Sequence, residues 1–112
     1  MRYALLINEN PGAYIGFTDE DRKAVSAEYV ALRADSHIIG GEQLQPPTTA
    51  TTVRMKDGEL LLTDGPFADT KEIFGGYYLV EADDLDTALQ LAGRIPAVRL
   101  GGSVEVRPLV DL

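Results

Sequence analysis

Residues 64–72, Asp-Gly-Pro-Phe-Ala-Asp-Thr-Lys-Glu, hold the densest group of side chains that could do chemistry. A Gly-Pro turn separates one acid from a run of alternating charge, so carboxylates and an ammonium would lie close together. Asp64, Lys71 and Glu72 could transfer protons to or from a ligand if they were removed from water. We call residues 64–72 the turn segment and treat these three side chains as candidate catalytic residues.

The turn segment is also a candidate for binding a ligand without transforming it. Structural alternatives stay open for each part: Asp64 could cap the backbone amides of the turn, and Phe67 could fill the core or a subunit interface. The remaining charges could form a solvated or interfacial ion network. The candidate ligand-binding residues are Asp64, Phe67, Asp69, Lys71 and Glu72.

His37 is the only histidine, and therefore the only side chain that would titrate near neutral pH without help from its surroundings. It follows the first predicted helix, so a cation at the helix end or a packing residue is the alternative to a catalytic role. The chain has no cysteine, and its carboxylates are scattered. This composition lacks metal-ligand spacing, so we expect no metal and no cofactor.

Length and charge exclude several classes of function. A chain of 112 residues is one domain by length. The net charge is −8, and the seven arginines and three lysines are scattered, so binding to nucleic acid or to an anionic membrane is not expected. No apolar run reaches the roughly 18 residues of a membrane span. Polar residues interrupt the apolar start too early for an export signal, so we expect a cytoplasmic protein.

The order of elements predicts a ferredoxin-like α+β domain. Thr18 and Asp21 predict a capping box at the start of the first helix, and Asp57-Gly58 predicts a hairpin turn. The order strand, helix, hairpin strands, strand, helix, strand gives an antiparallel sheet with two helices on one face and an inserted β-hairpin. The positions predicted to face the sheet are Val25, Tyr29 and Leu32 on the first helix, and Leu85, Ala88, Leu89 and Ala92 on the second.

The first strand is apolar on both faces. Tyr3, Leu5 and Ile7 point one way, whereas Ala4 and Leu6 point the other. A two-layer fold needs only one apolar sheet face, so we expect the second face to pack on another subunit in a homodimer. The alternative is that central strands tolerate apolar residues on an exposed face. A later strand has the same pattern: Tyr77 and Leu79 point to one face, and Tyr78 and Val80 point to the other.

The turn segment, followed by Gly-Gly-Tyr-Tyr at residues 75–78, resembles the signature of the DGPF branch of the YCII-related family. The resemblance extends over nearly the whole chain, including residues 1–7, 40–44 and 104–108. It implies a ferredoxin-like subunit that forms a dimeric α/β-barrel, and many members are bacterial. The biochemical role of this branch is largely unassigned.

The resemblance also exposes a difference in chemistry. Classical YCII members are thought to use a His–Asp dyad, as in a relative that removes chloride from a hydroxylated aromatic. By this resemblance, the histidine position falls near Val25, and the aspartate position falls at Ile95, before Pro96. Neither hydrocarbon side chain transfers protons, so the dehydrochlorinase chemistry is not expected here. His37 lies too far along the chain to replace the missing histidine.

Three functions remain open from the sequence. The first is a homodimer that binds a small organic ligand in a barrel cleft. The second is an acid–base enzyme in which Asp64, Lys71 and Glu72 replace the dyad. The third is a regulatory or interaction protein that uses the barrel only as a scaffold. The first two predict a pocket lined by the turn segment, whereas the third predicts a filled interior.

Overall fold

The computed structural model describes residues 1–65 and 71–111. In these ranges the strands and α-helices are, in chain order, β1 (Arg2–Glu9), α1 (Asp19–Leu32), β2 (Ile38–Gln43), β3 (Thr51–Lys56), β4 (Glu59–Asp64), β5 (Ile73–Glu81), α2 (Leu85–Gly93), α3 (Pro96–Arg99) and β6 (Ser103–Pro108). Two short 3-10 turns, Pro11–Tyr14 and Pro47–Thr49, follow β1 and β2. No helix in these ranges has the length and apolar character to cross a membrane.

The sheet has the ferredoxin-like strand order β2-β5-β1-β6 and is antiparallel throughout, which confirms the predicted fold. The inserted hairpin is also confirmed, because β3 and β4 pair only with each other among the described strands. Its turn residues, Asp57 and Gly58, have φ angles of 51° and 80°. Both angles suit the two-residue hairpin turn that an Asp-Gly pair favours.

The core lies between the helices and one face of the sheet. Tyr3, Leu5 and Ile7 of β1 point into it, and each is at most 5% exposed. The second helix begins at Leu85, directly after its N-cap Asp84. This helix buries Ala88, Leu91 and Ala92, whereas the predicted core positions Leu85 and Leu89 are exposed. Each residue turns a helix by about 100°, so a small error in placing the face brings Leu91 inward instead.

The start of α1 follows the predicted capping box. The Asp21 backbone N–H donates to the Thr18 hydroxyl oxygen at 3.1 Å, and the Thr18 N–H donates to the Asp21 carboxylate at 3.0 Å. Farther along, Leu32 is buried, but Val25 and Tyr29 are only half-buried. They are partly exposed because the middle of this helix borders an open cleft.

The opposite face of the sheet is apolar, and the described residues leave it partly exposed. Alternation in β1 and β5 sends Tyr3 and Leu5 toward the helices, so they do not belong to this surface. That surface instead contains Ala4, Leu6, Tyr77 and Leu79, all half-buried. The hairpin also carries exposed apolar side chains, namely Val53, Met55, Leu60 and Leu62.

Gly102 sets the distance between α3 and the end of β1, next to the cleft. A methyl group there would lie 2.2 Å from the Asn8 carbonyl oxygen and 3.1 Å from that of Ala97. We predict that Gly102→Ala lowers the free energy of unfolding by about 1–3 kcal/mol, because neither backbone can yield easily. Gly93→Ala is the matched control, since nothing lies within 4 Å of the added methyl group. Urea unfolding would contradict this packing if both variants were equally stable.

Candidate functional site

A cleft of about 650 Å³ opens between α1, the end of β1, β2 and the start of β5. One face of α1 forms its wall through residues 22, 26, 29 and 33, which recur with the spacing of a single helix face. We call it the α1 cleft. Its apolar lining includes Ile7, Val25, Val30, Leu44, Ile73 and Phe74.

Glu9, the last residue of β1, is a polar centre of the α1 cleft. Its Oε2 accepts a hydrogen bond from the Tyr14 hydroxyl at 2.7 Å, and its Oε1 accepts one from the Tyr29 hydroxyl at 2.9 Å. Tyr14 belongs to the 3-10 turn after β1, and Tyr29 belongs to α1. A single carboxylate therefore joins a strand, a turn and a helix, and each of its oxygens keeps a second lone pair for a ligand.

Both phenols are held in their protonated form. Burial is the main cause that raises the pKa of Tyr14 and of Tyr29, and the hydrogen bond to Glu9 raises both further. Burial also raises the pKa of Tyr78, whose hydroxyl donates to the Tyr29 carbonyl oxygen at 3.1 Å. Tyr14 and Tyr29 therefore serve as hydrogen-bond donors to Glu9 over the physiological pH range, so they orient it and do not act as bases.

The described part of the turn segment lies outside the α1 cleft. Asp64 ends β4 and is exposed, whereas Glu72 is half-buried and its Oε2 accepts from the Ser103 hydroxyl at 2.8 Å. Lys71 and Glu72 line a second depression of about 430 Å³ together with Asn10. In residues 1–65 and 71–111, the α1 cleft is lined by neither Asp64, Lys71 nor Glu72. Their roles in binding or catalysis stay predictions. The candidate residues that fall outside the described ranges are Phe67 and Asp69.

His37 lies on the surface, away from the α1 cleft lining. Its Nδ1 is 2.7 Å from Asp35 Oδ1, and the same carboxylate accepts from Arg94 at 3.0 Å. The hydrogen bond from the His37 backbone N–H is the largest of the effects that lower the pKa of Asp35 to about 2, followed by the His37 ring and Arg94. This placement favours the structural interpretation of His37, and its catalytic role stays a prediction.

The two positions assigned to the dyad by resemblance have different surroundings. Val25 lines the α1 cleft, whereas Ile95 is buried at the start of α3. At the position that the resemblance assigns to the histidine, the cleft therefore presents a hydrocarbon side chain. In the described residues, no group of three or more His, Asp or Glu side chains comes together as metal ligands would.

Sequence reasoning missed the Glu9–Tyr14–Tyr29 cluster. Tyr29 was interpreted only as part of an apolar helix stripe, and Glu9 only marked the end of a strand. These three residues come from three elements, and their spacing forms no local motif. The one local signal for this cluster was an acidic residue, Glu9, at the end of an apolar strand.

Comparison with known proteins identifies a family, a related sequence and a similar structure. A family model described as YCII-related domain matches residues 1–112. An uncharacterized protein of Rhizobium meliloti (strain 1021) is 34% identical over 115 residues, which cover 97% of this chain and 92% of that protein. A similar fold occurs in the 5-chloro-2-hydroxyhydroquinone dehydrochlorinase TftG from Burkholderia phenoliruptrix AC1100, in complex with 2,5-dihydroxybenzoquinone. That similarity has a TM-score of 0.50 and 18% identity, and covers 98% of this chain and 94% of the other.

The raised pKa of Tyr29 gives a prediction for alkaline stability. Below about pH 10 the phenol is protonated in both the folded and the unfolded state. Above that pH the unfolded phenol ionises first, so the free energy of unfolding falls as the pH rises toward the folded pKa. We predict that Tyr29→Phe reduces this fall between about pH 9 and pH 11, measured by urea unfolding. Glu9→Gln should reduce it less, because burial persists. Identical pH dependence in all three proteins would contradict the cluster.

Proposed function

The chain belongs to the YCII-related family, and we propose that it binds a small organic ligand in the α1 cleft. The volume of about 650 Å³ suits this function, because small-molecule sites typically span about 300–1,000 Å³ and combine apolar walls with a few convergent polar groups. The structure of the similar dehydrochlorinase contains 2,5-dihydroxybenzoquinone, a small organic molecule, which supports the same use of this fold here.

The observation that carries the proposal is the carboxylate of Glu9, held in the cleft by two phenols. Tyr14 and Tyr29 occupy one direction at each oxygen, so the remaining lone pairs have a fixed orientation. A ligand hydroxyl or N–H that reaches Glu9 then meets an acceptor that needs little reordering. Such preorganisation improves affinity because less conformational freedom is lost on binding.

An acid–base enzyme is the second candidate. Lys71 and Glu72 line the same depression, which places a cation and a carboxylate of the turn segment on one surface. This arrangement supports proton transfer by the turn segment, with Asp64 as a further member. A regulatory or interaction protein that uses the barrel only as a scaffold is less well supported, since the α1 cleft offers space for a ligand.

We also propose that the protein is a cytoplasmic homodimer of the DGPF branch, with two subunits forming an α/β-barrel. The uncovered sheet face supports this assembly, because Ala4 lies opposite Leu79 and Leu6 lies opposite Tyr77 in one apolar surface. The exposed apolar side chains of the hairpin extend the surface available to a partner. A stable interface of this kind buries more than about 1,000 Å².

The ligand-binding proposal predicts that loss of the Glu9 acceptor weakens binding in the α1 cleft. In an NMR screen of small hydroxylated aromatic fragments, those that shift α1 resonances should lose about tenfold affinity in Glu9→Leu, as expected for a hydrogen bond to a charged group. Lys71→Met and Glu72→Gln are the controls and should bind as the native protein does. Normal binding by Glu9→Leu, with loss in either control, would favour the turn segment as the ligand site.

The dimer proposal predicts that Leu79→Asp dissociates the protein, because a charge would replace an apolar contact between sheets. Sedimentation at micromolar concentration should give a dimer for the native protein and a folded monomer for the variant. Leu89→Asp changes an exposed leucine of α2 and should remain dimeric. A native protein that sediments as a monomer would rule out the assembly.

A further inference from the structure

We propose that the ligand of the α1 cleft is an organic anion, whose carboxylate, sulfonate or phosphate group is bound by one of Arg22 and Arg33 and attracted by the other. Its apolar body would lie along the cleft wall. This inference rests on the proposed ligand-binding function and adds the chemical class of the ligand. In this acidic chain, with net charge −8, the arginines of the cleft differ from most others in their partners.

Four arginines outside the cleft are neutralised by carboxylates. Their guanidinium groups are ion-paired within the chain, as expected for a protein in which acids outnumber bases. The pairs are Arg2–Asp111, Arg94–Asp35, Arg99–Glu28 and Arg107–Glu105.

The two arginines that line the α1 cleft are held in another way. The Arg22 guanidinium donates to the Tyr14 carbonyl oxygen at 3.5 Å, and Arg33 interacts with the Tyr78 phenol. In the part of the chain that the structure describes, neither arginine is ion-paired with a carboxylate. Neutral oxygens orient a guanidinium but leave its charge uncompensated, so both cations remain available to an anion.

The position of the two arginines on α1 limits the shape of the ligand. They lie on the same helix face about three turns apart, which separates their backbones by about 16 Å. A small inorganic ion would contact only one of them. An organic molecule along the cleft can contact one arginine through its anionic group and still be attracted by the other. Replacing either Arg22 or Arg33 should therefore weaken binding of the anion, and replacing both should weaken it further.

The carboxylates in the cleft limit the orientation of the ligand. Glu9 accepts from two phenols and faces a donor group of the ligand, so the anionic group must lie elsewhere. Glu42 lies on the β2 side of the cleft and would repel an anion. These charges restrict the anionic group to the α1 wall, and they predict that Glu42→Gln strengthens anion binding.

A pair of fluorescent dyes tests the inference. The probes are 8-anilinonaphthalene-1-sulfonate and the uncharged N-phenyl-1-naphthylamine, which have the same rings but differ in the sulfonate. Arg22→Met and Arg33→Met should each raise the Kd of the sulfonate dye about tenfold and leave the Kd of the uncharged dye nearly unchanged. Arg107→Met, on β6 and outside the cleft lining, is the matched control and should change neither. Ser26→Trp, which fills the cleft from α1, should abolish binding of both dyes there.

Each contrary outcome has a distinct meaning. Equal weakening of both dyes in the cleft arginine variants would overturn the anion assignment but leave ligand binding in the cleft intact. An effect of Arg107→Met as large as that of Arg33→Met would also overturn it, because net charge alone would then explain the result. Unchanged binding of both dyes in Ser26→Trp would contradict the cleft as the binding site, and with it the proposed function. Circular dichroism of each variant verifies that it is folded.

Discussion

The carboxylate of Glu9 is the contact on which the α1 cleft depends. In α1, which is described along its full length, Leu32 is the single buried residue, so apolar burial alone holds this helix weakly against the sheet. The Tyr29–Glu9 hydrogen bond ties the middle of the helix to the end of β1, and Tyr14 ties the intervening turn to the same group. The helix is thereby fixed at a distance that leaves space beside the sheet.

The same arrangement determines the chemistry of the cleft. Because α1 borders the open space, its cleft-facing positions carry polar and charged groups, including Arg22 and Arg33, instead of a continuous apolar stripe. Val25 stands in this wall at the position that resemblance assigns to a catalytic histidine. The fold of the family is therefore present, and the α1 cleft of this chain presents a phenol-bound carboxylate together with two guanidinium groups that pair with no carboxylate among the described residues. That combination suits recognition of a polar organic molecule.

Local rules predicted most of the fold. The capping box at Thr18 and the hairpin at Asp57-Gly58 depend on residues a few positions apart, and the structure confirms both. The inward face of α2 was partly wrong because packing against the sheet, which buries Leu91, sets the rotation of this helix about its axis. The Glu9 cluster was missed because Glu9 meets Tyr14 and Tyr29 only after the chain folds. The turn segment was conspicuous in sequence, yet Asp64 lies exposed at the end of the hairpin.

A double-mutant cycle between Glu9 and Tyr29 tests this account most directly. Glu9→Leu, Tyr29→Phe and the double variant would be compared with the native protein by urea unfolding at neutral pH. If the carboxylate anchors α1 through the phenol, the coupling free energy should be about 1.5–3 kcal/mol, as for hydrogen bonds to charged groups. If the two single effects add to within about 0.5 kcal/mol, the residues are energetically independent and the central role of Glu9 is contradicted.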